Sequence, residues 1–200
     1  MPAPIAFYFD FSSPYGYIAS RLIDAIAATH GRAVVWKPIL LGAIFKITGM
    51  QPLTEIPVKG DYMRRDFARS ARLHGISFRL PDPFPFSGVA ANRAFYWLEG
   101  HDPAKAHDLA KALYEAAFVH NRDIATAEGV IAVAAGLGID GEALGTALQS
   151  AEVKDKTRAE TDAAVGKGIF GSPTFLVDDE PFWGADRLDQ VEKWLVTGGW

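Results

Sequence analysis

The sequence predicts an α/β fold in which an all-helical domain separates two β-containing parts. Short apolar runs with the length and residue types of buried strands occur near both ends of the 200-residue chain. Between about Gly42 and Gly168 this pattern disappears, and apolar residues recur every three or four positions, which indicates helices. The hydrophobic content of 49% is sufficient for a sizeable core.

The first forty residues predict a β-α-β unit. Ile5 to Phe9 is a short aromatic-rich run typical of a buried strand. From Tyr15 to Ile26 the apolar residues follow helical spacing, and Gly31 is placed to end that helix. Ala33 to Trp36 then predicts a second strand, which the right-handed crossover rule places parallel to the first.

The carboxyl-terminal part predicts a β-β-α unit. Thr174 to Val177 is strand-like, "DDE" forms a turn, Phe182 to Trp183 begins the return strand, and a final amphipathic helix follows. This order of elements is the plan of a thioredoxin-like domain with a helical insertion. We therefore assign residues 1–41 and 166–200 to the thioredoxin-like domain and residues 42–165 to the inserted helical domain.

Composition excludes several classes of function. The formal charge of −4 disfavours nucleic acid and anionic membranes as partners, and the absence of cysteine excludes disulfides and thiolate nucleophiles from the chain itself. The histidines are not spaced as metal ligands, so no metal site is expected. Without a signal-peptide pattern or an apolar run of membrane-spanning length, we expect a soluble cytoplasmic protein.

The stretch "FYFDFSSPYGY" places Ser13 and Pro14 at a strand-to-helix junction. Local chemistry favours a capping role, with Ser13 as N-cap and Pro14 at the first helical position. A helix N-terminus also stabilises an anion. In thioredoxin-like proteins a reactive thiolate occupies this place, so Ser13 could instead donate a hydrogen bond to a thiolate carried by a ligand.

Two further motifs extend this hypothesis. In "GIFGSPTF", Ser172-Pro173 is either an ordinary edge feature or the cis-proline that faces the Ser13 junction and leaves the Ser172 backbone free to pair with an extended peptide. In "FWGADRL", Asp186 either caps the last helix beside a solvated Arg187, or binds an ammonium group while Ala185 and neighbouring N–H groups bind a carboxylate. One ligand, glutathione, fits all three motifs.

Together with "KPILLGAIFKITG" and "VKGDYMRRDFAR", these motifs resemble 2-hydroxychromene-2-carboxylate isomerases and the related kappa-class glutathione transferases over nearly the whole chain. The resemblance implies a thioredoxin-like domain interrupted by helices, glutathione as cofactor, Ser13 as the catalytic residue, and a homodimer. It implies a glutathione site formed by Ser13, Lys59, Ser172, Pro173, Trp183, Gly184, Ala185, Asp186 and Arg187.

The predicted activity is glutathione-dependent cis-trans isomerisation of a small aromatic electrophile, in aromatic hydrocarbon catabolism. Transient thiolate addition would turn the conjugated double bond into a single bond, so that it can rotate before elimination. A basic run at helical spacing is either a solvated helix face or a contact for the substrate carboxylate; it consists of Arg64, Arg65, Arg69 and Arg72. Two alternatives stay open: a kappa-like transferase that releases a conjugate, and a non-catalytic binding module.

Overall fold

The computed structural model describes residues 2–200 and contains a four-stranded mixed sheet. The strand order is β2-β1-β3-β4, with β1 parallel to β2, and with β3 antiparallel to both β1 and β4. The strands are Ile5–Phe9 (β1), Val34–Pro38 (β2), Thr174–Val177 (β3) and Glu180–Trp183 (β4). The sheet therefore joins the first forty residues to the carboxyl-terminal part, as predicted.

Ten α-helices accompany the sheet within residues 2–200, and seven of them lie between β2 and β3. They are α1 (Pro14–Ser20), α2 (Ile23–Thr29), α3 (Leu41–Thr48), α4 (Lys59–Leu73), α5 (Val89–Glu99), α6 (Pro103–Phe118), α7 (Ala127–Ala135), α8 (Gly141–Gln149), α9 (Ala151–Gly166) and α10 (Leu188–Thr197). The predicted order of a β-α-β part, a helical segment and a β-β-α part is confirmed. None of these helices is both long and apolar enough to cross a membrane.

Two local predictions differ from the structure. The helix predicted from Tyr15 to Ile26 is interrupted after Ser20, whose hydroxyl donates to the Tyr17 carbonyl at 2.6 Å and so competes with the helical hydrogen bonds. The turn between β3 and β4, predicted to be "DDE", is also one residue shorter than expected. Asp178 and Asp179 both have positive φ and form a two-residue loop, so Glu180 already belongs to β4.

The hydrophobic core is shared between the sheet and the helices. The Phe9 ring from β1 lies 6.3 Å from the Phe95 ring of α5 and 5.6 Å from the Tyr114 ring of α6. On the same strand, the Phe7 ring stacks on that of Phe175 in β3. The predicted bounds of the inserted domain, residues 42 and 165, stay a proposal. Helix α3 begins one residue before this range, and α9 ends one residue after it.

Candidate functional site

Ser13 occupies the N-cap of α1 at the carboxyl end of β1. Its Oγ accepts a hydrogen bond from the Gly16 amide at 3.0 Å, and Pro14 stands at the first helical position. Ser13 is only 6% exposed, but it lines a cavity together with Pro14. The capping interpretation therefore describes the local geometry, and the same hydroxyl is also placed at the wall of a cleft.

The two serine-proline motifs face each other across the site. Ser13 Oγ donates to the Ser172 carbonyl at 3.1 Å, and the Asp10 amide donates to Ser172 Oγ at 2.9 Å. The Ser172–Pro173 peptide bond is cis, as the sequence led us to expect. Because β3 begins only at Thr174, the Ser172 carbonyl lies outside the strand ladder and accepts its hydrogen bond from a side chain.

A glycine allows this close approach. A Cβ atom added at Gly16 would lie 2.6 Å from Tyr114 Oη and 2.9 Å from Ser172 Oγ, closer than Cβ atoms normally approach other atoms. A side chain at residue 16 would therefore force the Tyr114 or Ser172 hydroxyl to shift from its present hydrogen bonds. Sequence reasoning did not single out this position, because a glycine inside a helix gives no signal until its neighbours are known.

Asp10 is a buried carboxyl group beside Ser13 that the sequence analysis also missed. It is 3% exposed; Oδ1 accepts from the amide and the hydroxyl of Ser12, both at 2.7 Å, and Oδ2 accepts from the Leu41 amide at 2.8 Å. Burial raises the pKa of the Asp10 carboxyl above its usual value, while the bonds from Ser12 and Leu41 act in the opposite direction. A charged residue that ends an aromatic strand was the available signal.

The cavity has a volume of about 880 Å³ and lies between the Ser13 junction and the helical part. Its far wall is apolar and is formed by α3, the loop after it and the proline-rich loop "LPDPFPFSG" (residues 80–88), through Leu41, Phe45, Ile47, Met50, Phe84 and Phe86. The charged residues of its lining are Asp10 and Lys46. Lys46 is exposed, and no salt bridge involves it in the part of the chain that the structure describes.

The "FWGADRL" stretch begins at the cavity. Trp183 lines it and is 48% exposed, with its ring 4.8 Å from that of Phe170. Gly184 has a φ of +114°, and its amide donates to the Pro173 carbonyl at 2.9 Å. This bond ties the end of β4 to the cis-proline loop, so the second and third motifs are neighbours.

Ala185–Arg187 forms a single 3₁₀ turn after Gly184, and Asp186 is exposed on it. Arg187 Nη1 lies 3.0 Å from Asp186 Oδ2, so the predicted ammonium-binding carboxylate already has a cationic neighbour. The negative charge of Asp186 also contributes to a raised pKa of Tyr15, for which burial and the Asp66 carboxylate are the larger causes. Asp186 therefore lies within electrostatic reach of a residue that lines the cavity.

The other predicted cations lie outside the cavity. Lys59 is exposed at the first position of α4 and does not line the cavity. The four arginines of the predicted basic run are also exposed and outside its lining: Arg64, Arg65, Arg69 and Arg72. Arg69 pairs with Asp66 and donates to Tyr62 Oη at 2.8 Å. This arrangement agrees with the interpretation of the run as a solvated face.

Residues 2–200 offer no cluster of metal-ligating side chains. No group of three or more histidine, aspartate and glutamate side chains there is arranged to hold an ion. His107, on α6, instead contacts Asp24 at 3.0 Å and packs its ring edge-on against Trp36. The candidate site is thus built from hydroxyl, carboxyl, backbone and aromatic groups.

Comparisons with known proteins agree with this architecture. The family model of the DSBA-like thioredoxin domain matches residues 4–196. Glutathione S-transferase kappa 2 of Caenorhabditis elegans is 30% identical over 96% of this chain and 91% of its own. The 2-hydroxychromene-2-carboxylate isomerase of Sphingobium xenophagum is 29% identical over 98% of this chain and 100% of its own.

Among solved structures, a 2-hydroxychromene-2-carboxylate isomerase that is 29% identical superposes with a TM-score of 0.84, covering 94% of this chain and 92% of the other. The predicted thioredoxin-like fold with helical insertion is confirmed, and so is the resemblance to isomerases and kappa-class transferases. The relatives found include enzymes of both kinds.

Proposed function

The chain belongs to the family of DSBA-like thioredoxin domains, and from this premise we propose that it is a glutathione-dependent isomerase of the 2-hydroxychromene-2-carboxylate type. It would catalyse cis-trans isomerisation of a small aromatic electrophile in aromatic-compound catabolism. The observation that carries the proposal is the position of Ser13. A hydroxyl caps the helix N-terminus opposite a cis-proline loop, in a chain that has no cysteine.

The residues present fit glutathione. The Ser172 carbonyl lies outside the strand ladder, and within residues 2–200 its acceptor bond comes from Ser13 Oγ. A cysteinyl N–H of an extended peptide could take over this acceptor, as in strand addition. Ser13 Oγ–H would then be released toward the sulfur. In this way binding of the peptide backbone and activation of the sulfur are coupled through one carbonyl.

Two further regions would hold the ends of the tripeptide. Pro173 and Trp183 would flank the cysteinyl part, while Asp186 would pair with the γ-glutamyl ammonium group and the Ala185 amide with its carboxylate. Arg187, beside Asp186, would add a second charge contact. Lys59 does not line the cavity, and its assignment to glutathione rests on the resemblance alone.

Bound glutathione would supply a thiolate whose reversible addition to the conjugated double bond permits rotation about it. The chain's own contribution is electrostatic. Ser13 donates its hydroxyl hydrogen to the sulfur, and the N-terminal amides of α1 favour a negative charge there. The Ser13 hydroxyl and the N-terminus of α1 are in place before a ligand arrives, so only the hydroxyl hydrogen must turn from the Ser172 carbonyl to the sulfur.

The apolar wall would receive the second substrate. Phe45 on α3 lines the cavity and makes no ring-ring contact within the described residues, unlike Phe84 and Phe86. Phe45 is partly exposed, so its ring could contact an aromatic ligand. Lys46, the one cation of the cavity lining, is our candidate for the substrate carboxylate, in place of the exposed arginines of α4.

A second candidate function is supported by the 30% identity to a kappa-class glutathione transferase. A transferase would use the same Ser13 geometry but would release a thioether conjugate. The two activities differ in the fate of glutathione, since an isomerase regenerates it and a transferase consumes it. Product analysis therefore separates them.

The decisive experiment has two stages. First, millimolar reduced glutathione should raise the melting temperature, and S-methylglutathione, which lacks an ionisable thiol, should do so less strongly. Second, an ultraviolet assay on 2-hydroxychromene-2-carboxylate should show isomerisation at constant glutathione concentration. Conjugate formation with loss of glutathione would instead establish the transferase. Failure to bind glutathione would leave only the non-catalytic module.

A further inference from the structure

Each polar group of Asp10 holds a different part of the site. Its amide donates to Ser172 Oγ at 2.9 Å, and its carbonyl accepts from Tyr114 Oη at 2.9 Å. Its carboxylate accepts from Ser12 and from Leu41. One buried residue therefore connects the cis-proline loop, helix α6, the turn before α1 and the beginning of α3.

The contact with α3 replaces a missing cap. Leu40 stands at the N-cap of α3 and has no side chain that can accept a hydrogen bond from the helix. Asp10 Oδ2 accepts from the amide of Leu41, the first residue of the helix, and so provides both the capping acceptor and a negative charge near the helix N-terminus. Helix α3 carries Phe45 and Lys46, which line the cavity opposite Ser13.

The beginning of α5 also packs on this carboxylate. A Cβ atom added at Gly88 would lie 2.8 Å from Asp10 Oδ1 and 3.3 Å from Asn92 Nδ2. Gly88 itself lines the cavity between the proline-rich loop and α5. A shift of the Asp10 carboxylate would therefore change the contacts of the turn before α1, of the first residue of α3, and of Gly88 at the end of the proline-rich loop.

We propose that Asp10 is a positioning residue that fixes the separation between the Ser13 hydroxyl and the α3 wall, and thereby aligns the thiolate with the second substrate. The inference goes beyond the proposed function and rests on it for its kinetic consequences. Asp10 acts through Ser12 and Leu41. Its role is distinct from that of Ser13, which would contact the sulfur.

The surroundings of Asp10 show that this carboxylate costs folding free energy. Its three hydrogen-bond donors are neutral, the titratable group that faces it from α6 is the phenol of Tyr114, and Lys46 is the other charged residue of the cavity lining. Because burial raises its pKa, the ionised form is less stable in the folded chain than in the unfolded one. This cost is present at neutral pH, decreases as the pH falls through the raised folded-state pKa, and is gone below the unfolded-state pKa of about 4.

Asp10→Asn tests the proposal with little change in shape. The amide oxygen of asparagine can still accept from Ser12, but its NH₂ group cannot accept from the Leu41 amide. We expect kcat to fall about 100-fold, the effect of a misalignment of about 1 Å, while the glutathione dissociation constant measured by calorimetry changes less than about threefold. Asp102→Asn is the matched control, because Asp102 caps α6 through the Lys105 amide, away from the cavity, and should leave both constants unchanged.

Ser12→Ala provides a second and milder test. It removes one of the two hydrogen bonds to Asp10 Oδ1 and leaves the backbone bond in place. We expect about a tenfold loss in kcat, and a much smaller additional loss when the change is made in the Asp10→Asn background, since coupled residues are not additive. Fully additive losses would contradict a shared positioning role.

Two measurements do not depend on turnover. Hydrogen exchange of the Leu41 amide should accelerate in Asp10→Asn and stay slow in Asp102→Asn. The unfolding free energy of the wild type relative to Asp10→Asn should rise as the pH is lowered from 7 to about 4, because the ionised Asp10 becomes protonated and its cost is removed.

The proposal is overturned if Asp10→Asn keeps normal kinetic constants, or if its Leu41 amide exchanges at the wild-type rate. A wild-type protein without glutathione binding and turnover would overturn the proposed function instead. The role of Asp10 in the structure would then be decided by amide exchange and by the pH dependence of stability alone.

Discussion

The two sides of the cavity are built in different ways. On the sheet side, hydrogen bonds of 2.9 and 3.1 Å join Ser172 to Asp10 and to Ser13, and Asp10 and Ser13 are nearly inaccessible to solvent. On the helical side, Phe45 and Ile47 line the same space without polar contacts, and Ile47 is 64% exposed.

This difference separates two tasks. Hydrogen-bonded groups at a strand end and a helix N-terminus have fixed directions, which suits the stabilisation of a charge that must appear at one place. An apolar wall gives affinity in proportion to contact area and tolerates changes in ligand shape. We therefore expect substitutions on the sheet side to change turnover, and substitutions on the helical side to change which second substrate is used.

The largest effect is expected for Ser13→Ala. Loss of one donor aimed at a developing or bound negative charge lowers kcat by about 100- to 1000-fold. Loss of the cap lowers the unfolding free energy by only about 1 kcal/mol. Steady-state kinetics and urea unfolding measure the two effects separately.

Ser150→Ala is the matched control for this change. Ser150 caps α9 by accepting from the Val153 amide at 3.2 Å and does not line the Ser13 cavity. It should reproduce the loss of stability and leave turnover unchanged. An equal rate in Ser13→Ala and the wild type would show that Ser13 only caps α1. The sheet side of the cavity would then have no special part in turnover.

On the helical side, Phe45→Ala should raise the KM for an aromatic substrate about tenfold, the scale of one aromatic contact together with the buried area it provides. The KM for glutathione should not change, because Phe45 lies on the wall opposite Ser172. A small non-aromatic electrophile serves as control substrate, and its KM should also be unaffected. A parallel rise in the glutathione KM would show that the two sides are not separate sites.

Much of the fold was predictable because it depends on local patterns. The bounds of Ile5–Phe9 and Thr174–Val177 follow from runs of aromatic and β-branched residues, and both strands were predicted with these limits. The break after Ser20 was missed, since a side chain that bonds back to its own helix leaves the apolar stripe intact. The periodicity of apolar residues indicates which residues are buried, but it does not reveal a short interruption between two helices such as α1 and α2.

The site was predictable only in part. Ser13 and Ser172 could be paired because the thioredoxin-like plan brings the two junctions together. The role of Asp10 depends on the Leu41 amide, and the role of Gly16 on the Tyr114 hydroxyl, contacts that no local pattern encodes. Nothing in the sequence of the proline-rich loop indicated that Phe84 and Phe86 would line the cavity.

A smaller kinetic effect is expected at Asp186, in the exposed turn after β4. Asp186→Ala should raise the KM for glutathione about fivefold, the upper limit for an exposed ion pair, and lower kcat much less, because the γ-glutamyl end is remote from the sulfur. Asp189→Ala is the matched control, an exposed acid in the first turn of α10. Equal losses in kcat and in affinity would place Asp186 near the reacting groups, on the sheet side of the comparison.

The smallest effect is expected for Lys46→Gln, and it tests the charge on the otherwise apolar wall. Lys46 is exposed, so its contact with a substrate carboxylate is screened by water and should contribute about a threefold change in KM. The change should appear with a carboxylated aromatic substrate and vanish with its neutral ester. Arg65→Gln is the control, because Arg65 lies on the exposed face of α4 outside the cavity lining. If Arg65→Gln changes the KM of the carboxylated substrate and Lys46→Gln does not, the basic face of α4 reaches the substrate and the helical side is not a purely apolar wall.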